Sequence, residues 1–359
     1  VKDAAERVQE LRVMRALKRY GTARGNLLAG GIAYSGLFSV AAALTIAWTI
    51  FMSLMGSNLA LRRNVLNVDR STVELAAAGT LNLSDLQLGL TIGSLLKEQM
   101  KMMSETRRGK FMVAVLPFSL PVSGLRSAAL TLGSSVVMLL NPDPDRDRTA
   151  KLFQRHMSHE LLHFYLPESL KVQENFDWFW EGFVRYQGLV SLNRLGLLSA
   201  RDLLDEMEKE FAAYRANRLS SSVSLVAASP DKFSNGNKYD LVYHKGTLVA
   251  WLYDMELHSQ TGGRLGLSDV MAGLYKTYGY SGDAVGNREV LAALRRAGRF
   301  DRFLQDYVEG TRNIDLAELV KGYGLEVSRV SNSTRISIAP RLSLKQRQAL
   351  AQLVQAESR

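Results

Sequence analysis

The chain has 359 residues, of which 47% are hydrophobic and 22% charged, and it carries no cysteine. That balance excludes a largely disordered protein, and the missing thiols exclude disulfide scaffolds, cysteine-ligated zinc, iron–sulfur clusters and a thiol nucleophile. Of the net charge of +10, +6 falls in residues 1–70, which hold 10 Lys+Arg against 4 Asp+Glu, so no nucleic-acid partner is expected for the rest.

Residues 1–26 form a basic segment. From Asn26 to Leu61 there is no charge, and residues 27–56 are long and apolar enough to cross a bilayer as one helix. Arg24-Gly25-Asn26, Gly30-Gly31-Ile32-Ala33-Tyr34 and Phe51-Met52-Ser53-Leu54 lie in a stretch, Tyr20 to Asn67, that resembles the start of the YihY-type (ribonuclease-BN-like) integral membrane proteins. The resemblance implies an inner-membrane helix with a cytoplasmic N-terminal side and a lipid bilayer as partner. Seven Lys+Arg in residues 1–28 against three in 57–70 point the same way, placing the remainder extracytoplasmically as a single-pass plasma-membrane protein.

Residues 57–71 read as a linker, 72–325 as the folded domain and 326–359 as a tail. Within the domain, 73–107 reads as two helices, one ending near Gly79 and one over Leu83–Met103. Lys110–Phe118 and Gly133–Leu140 read as strands, the second bounded by Asn141-Pro142-Asp143-Pro144. Helices are expected over 147–165, 174–194, 200–216, 240–259, 267–277, 287–297, 299–309 and 314–322. The fold class is α+β, a small mixed sheet followed by an α-rich lobe.

The first long helix of that lobe contains His159-Glu160-Leu161-Leu162-His163. Residues four apart share a helix face, so both histidines can offer a ring nitrogen to one zinc ion, with Glu160 beside them as a general base. Asp143, Asp145 and Asp147 are candidate caps for this helix, and Pro167 stops it. A third ligand is supplied by Glu181, 18 residues after His163 on the next expected helix, amid Trp178, Phe179, Trp180 and Phe183. An unpaired carboxylate there would be costly. His156 shares the face of His159 and is expected at the rim, because a fourth protein ligand would close the position that water needs. The expectation is one Zn2+ per chain in a His2Glu site acting on a peptide or protein substrate. The rival reading is a tethered, inactive pseudo-peptidase that binds peptides, against which the retained Glu160 speaks.

These residues resemble a gluzincin metallopeptidase of the aminopeptidase N superfamily over about residues 72–325, and the resemblance implies a zincin-like catalytic domain. It is carried by the zinc helix, by Trp180-Glu181-Gly182-Phe183-Val184-Arg185-Tyr186 and by Tyr243-His244-Lys245-Gly246. It implies that Tyr243 hydrogen-bonds the developing oxyanion and that Tyr239 assists. It also implies a strand holding extended substrate, expected at Gly133, Ser134 and Ser135. The family's glutamate that grips a free α-amine is missing there, so peptide hydrolysis is better supported than aminopeptidase specificity.

Overall fold

The computed structural model describes residues 61–105, 109–118, 126–330 and 333–350. The expected membrane segment and the basic segment before it lie outside these residues. No helix among the described residues is long and apolar enough to cross a membrane.

A five-stranded sheet comes first. Its strands are β1 (Arg62–Val68), β2 (Ser71–Ala77), β3 (Gly109–Leu116), β4 (Ser127–Leu132) and β5 (Ser135–Leu140), in the spatial order β1-β2-β3-β5-β4. β2, β3 and β5 run parallel, and the flanking β1 and β4 are antiparallel to their neighbours. The expected helix ending near Gly79 is instead β2. Val73, Leu75 and Ala77 are buried on alternate positions while Glu74 is exposed, a period of two that the alanine-rich composition hides. The expected linker is corrected too, because Arg62–Val68 is β1, an edge strand registered along its whole length on β2.

The helix α1 (Asp85–Met102) links β2 to β3. Its start is fixed by a capping box between Ser84 and Gln87. The helix α2 (Arg146–His163) packs on β4 and α1, capped by Asp145, whose side chain accepts from the backbone of Asp147 and Arg148. Of the three candidate aspartates, Asp145 is thus the N-cap. A π-helical turn, Trp178–Phe183, runs directly into α3 (Val184–Arg194), and α3 packs on α2. Then follow α4 (Ala200–Ala216), the long α5 (Gly236–Thr261), α6 (Leu267–Tyr278) and α7 (Asn287–Ala297). The short strands β6 (Lys171–Val172) and β7 (Ala284–Val285) pair between α2 and α7 in sequence. The expected tail holds the β8–β9 hairpin (Leu325–Val330, Ser333–Ile338), which packs on α4. The folded unit therefore extends past 72–325 at both ends.

One close crossing sets the geometry of the lobe. The π-helical turn meets α5 at Gly182 and Gly246, where a Cβ on Gly182 would lie 2.6 Å from the Cα of Gly246. Only glycine on both sides lets the two backbones touch. Glu181 precedes one glycine and Tyr243 lies one turn before the other.

Candidate metal centre

The α2 spacing puts His159 and His163 on one face, with their Nε2 atoms 2.9 Å apart. Glu181 reaches in from the π-helical turn, its Oε2 3.2 Å from His159 Nε2 and 3.6 Å from His163 Nε2. Three donors each about 2.0–2.2 Å from a tetrahedral zinc would stand roughly 3.3 Å from one another, so these atoms fit that ion. The His163 Nδ1–H donates to the Leu166 carbonyl at 2.9 Å, which leaves Nε2 as the donor to a metal. His159 Nδ1 is buried and meets no partner among the described residues.

Glu160 stands beside these donors. Its ligand oxygen and those of His159 and His163 all lie within 4.8 Å of one another. Thr131, on β4, donates its hydroxyl to Glu160 Oε2 at 2.8 Å and lies 2.9 Å from the Glu160 carbonyl. Burial raises the Glu160 carboxyl above its ordinary range, which favours a group that accepts a proton and returns it.

The far oxygen of Glu181 is held by a lysine absent from the motifs above. Lys232, buried in the turn between Ala228 and α5, places Nζ 2.6 Å from Glu181 Oε1 and 2.8 Å from Asp177 Oδ2. Burial works to raise the Glu181 carboxyl. Lys232 and the two histidines outweigh it and hold that carboxylate well below its ordinary range. Burial likewise works against the Lys232 ammonium, and Glu181 and Asp177 overcome it. With Oε1 engaged by Lys232, Glu181 offers one oxygen to the histidines.

Tyr243 and Tyr239 lie one turn apart on α5 with ring centres 4.5 Å apart, and the Tyr243 ring is 6.4 Å from that of His159. Burial, then the charge of Glu181, pushes the Tyr243 phenol well above its ordinary range, so it stays a neutral donor. His156 Nε2 is 2.8 Å from Ser127 Oγ, and burial with the charges of Arg185 and Arg155 lowers the imidazole to about 4.

Gly133, Ser134 and Ser135 do not form a free substrate strand. β5 is interior, bonded to β3 on one side and β4 on the other. The Gly133 N–H donates to Glu168 Oε2 at 2.6 Å, and the Ser134 carbonyl accepts from Met112 at 3.0 Å. The strand at the sheet's margin beside α2 is β4, which pairs only with β5 among the described residues. β4 holds no glutamate. Thr131, Lys232 and Asp177 were missed by the motif reading. A polar Thr in an otherwise apolar Ala-Ala-Leu-Thr-Leu run was the one local signal.

Residues 153–249 match the M61 glycyl aminopeptidase family, a stretch that contains His159, Glu160, His163, Glu181 and Tyr243. No curated protein matches the chain. Among solved structures, it resembles the aminopeptidase N family protein from Idiomarina loihiensis, with 17% identity and a TM-score of 0.66 over 76% of this chain and 51% of that one. It also aligns with the M1 zinc metallopeptidase from Deinococcus radiodurans at 17% identity and a TM-score of 0.48, covering 72% and 53%. The chain thus spans about half the length of these structures. The first of these likenesses identifies the α+β fold as one shared with an aminopeptidase N family protein.

Proposed function

We propose that this protein is a zinc-dependent peptidase, with one ion held by His159, His163 and Glu181. The observation that carries the reading is the convergence of two Nε2 atoms and one carboxylate oxygen within 3.6 Å, with Glu160 adjacent. The family matched over residues 153–249 supports it. When bound, zinc supplies an acidified water and polarises the scissile carbonyl. Glu160 takes the proton of the attacking water and passes it to the leaving amine. Thr131 keeps one Glu160 oxygen fixed, so the other faces the reaction. Tyr243 donates its phenolic proton to the developing oxyanion, and Lys232 keeps Glu181 from swinging both oxygens into the site. An extended peptide adds to the outer side of β4, which supplies main-chain hydrogen bonds from the strand nearest the zinc helix.

The test is Glu160→Gln. It should retain zinc at the wild-type level and lose peptide hydrolysis. A Glu160→Gln protein as active as wild type would overturn the assignment.

A further inference from the structure

One cation beside the metal donors is not used by that mechanism. Arg185 lies four residues after Glu181, one turn further along the same continuous helix. Its guanidinium carbon is 6.0 Å from the centre of the Tyr243 ring, which is itself 6.4 Å from the ring of His159.

Arg185 is held from behind. Its Nη2 donates to Glu210 Oε1 at 2.6 Å, and His244 Nδ1 sits 2.6 Å from the other oxygen of that carboxylate. Glu210 is 3% exposed, whereas the Arg185 side chain is 38% exposed. A guanidinium serving only to neutralise Glu210 would be buried with it, and His244 already approaches that carboxylate. Among the described residues Glu210 is the one acceptor that Arg185 meets. The remaining donors of its planar fork suit a carboxylate, which Arg binds through two parallel hydrogen bonds.

We propose that Arg185 is a specificity-determining residue that binds a carboxylate of the substrate close to the scissile bond. The inference rests on the peptidase reading. The two ring distances bound the guanidinium to about 12 Å from His159, and an extended chain advances about 3.3–3.6 Å per residue. The carboxylate therefore lies within about three residues of the cleavage point. Two sources have this chemistry: the C-terminal α-carboxylate of a short peptide, and an Asp or Glu side chain.

Binding to the full-length, zinc-loaded Glu160→Gln protein, read by calorimetry, separates them. The probes are tetra-alanine as free acid and as C-terminal amide, and the amide with a single Glu or Gln at each position. One carboxylate placement should bind about 10–100-fold tighter than its neutral counterpart, the usual worth of a charge-assisted hydrogen bond. A preference for the free acid assigns the C-terminus, and a preference for Glu over Gln assigns a side chain. Adding Arg185→Gln should bring the ratio to about 1, and Arg185→Lys should keep an intermediate preference. Circular dichroism shows whether each variant is folded, and the Lys variant and the parent carry the test if Gln fails to fold. Equal affinity for every acidic and neutral probe, or a preference that survives Arg185→Gln, overturns the proposal. Hydrolysis of the same peptides by wild type is a separate readout. A carboxylate preference without hydrolysis overturns the peptidase reading alone, and hydrolysis without preference overturns this one alone.

Discussion

Lys245, in the Tyr243-His244-Lys245-Gly246 stretch of α5, is wholly buried. Among the described residues its ammonium meets one group, the Gly310 carbonyl, at 3.5 Å. Burial lowers it from 10.5 to about 8. The folded state therefore binds the proton more weakly than the unfolded chain does. Below about 8 both states are protonated, and the full cost of burying the charge is present. As pH rises from about 8 to about 10.5 the folded state is neutral while the unfolded chain still holds its proton, so the cost fades. Moving the titration from 10.5 to about 8 corresponds to about 3 kcal/mol. Lys245→Met keeps the length of the side chain and removes the charge. In urea unfolding of the metal-free protein, the variant should be about 3 kcal/mol more stable than wild type at neutral pH, with the gap closing toward about pH 10.5. A gap independent of pH, or a variant less stable at pH 7, would refute the reasoning.

Three further outcomes follow from the geometry of the site. Tyr243→Phe should lower kcat by about 10²–10³ with little change in KM, the pattern of a donor used on the oxyanion; steady-state kinetics in which only KM moves would make Tyr243 a ground-state binding group. Lys232→Met leaves Glu181 and Asp177 buried without their common cation and should cost about 3–5 kcal/mol in urea unfolding; a loss below about 1 kcal/mol would remove Lys232 from the architecture of the centre. Gly246→Ala should cost about 1–3 kcal/mol, since its Cβ would lie 2.9 Å from Gly182 Cα and 3.1 Å from the Trp178 carbonyl. Gly273→Ala on α6, with nothing within 4 Å of the added carbon, is the control expected to be neutral or stabilising by about 0.4–1 kcal/mol, and equal costs at the two glycines would contradict the crossing.

The parts of the site that were legible in the sequence are those set by helical periodicity. His159, Glu160 and His163 lie within one turn and a half, so local spacing fixes their mutual direction. Helices such as 200–216 and 287–297 carry their own stop and start chemistry, and the structure has them at Ala200–Ala216 and Asn287–Ala297. Long-range contacts were not legible. Lys232 lies 51 residues beyond Glu181 in a short Ser-Pro-Asp-Lys-Phe-Ser turn with no hydrophobic period, and only the fold brings it to the carboxylate. The strand expected to hold substrate is interior, for a related reason. Ser135–Leu140 is richer in β-branched and apolar residues than Ser127–Leu132, as an interior strand should be, whereas the marginal strand reads as Ala-Ala-Leu and passes for helix. β-rich composition marks burial between two neighbours, which is the opposite of availability to a substrate.

The contact of Gly182 with Gly246 bears on how this centre can change over time. The distance between the Glu181 carboxylate and the Tyr243 phenol is gauged from main chain to main chain, with no side chain interposed. Surrounding residues such as Trp178, Phe179 and Phe183 are then free to drift in size or shape, provided that their combined volume is kept. The two glycines are not. Replacing one forces the helices apart whatever the other becomes, and no compensating substitution at the partner position can restore a contact that already has nothing left to remove. Descendants of this chain should therefore vary widely in the aromatic packing around the centre while these two positions stay locked together. Any descendant that lost one of them would keep His159 and His163 on an intact helix, yet lose the alignment between Glu181 and the Tyr243 phenol.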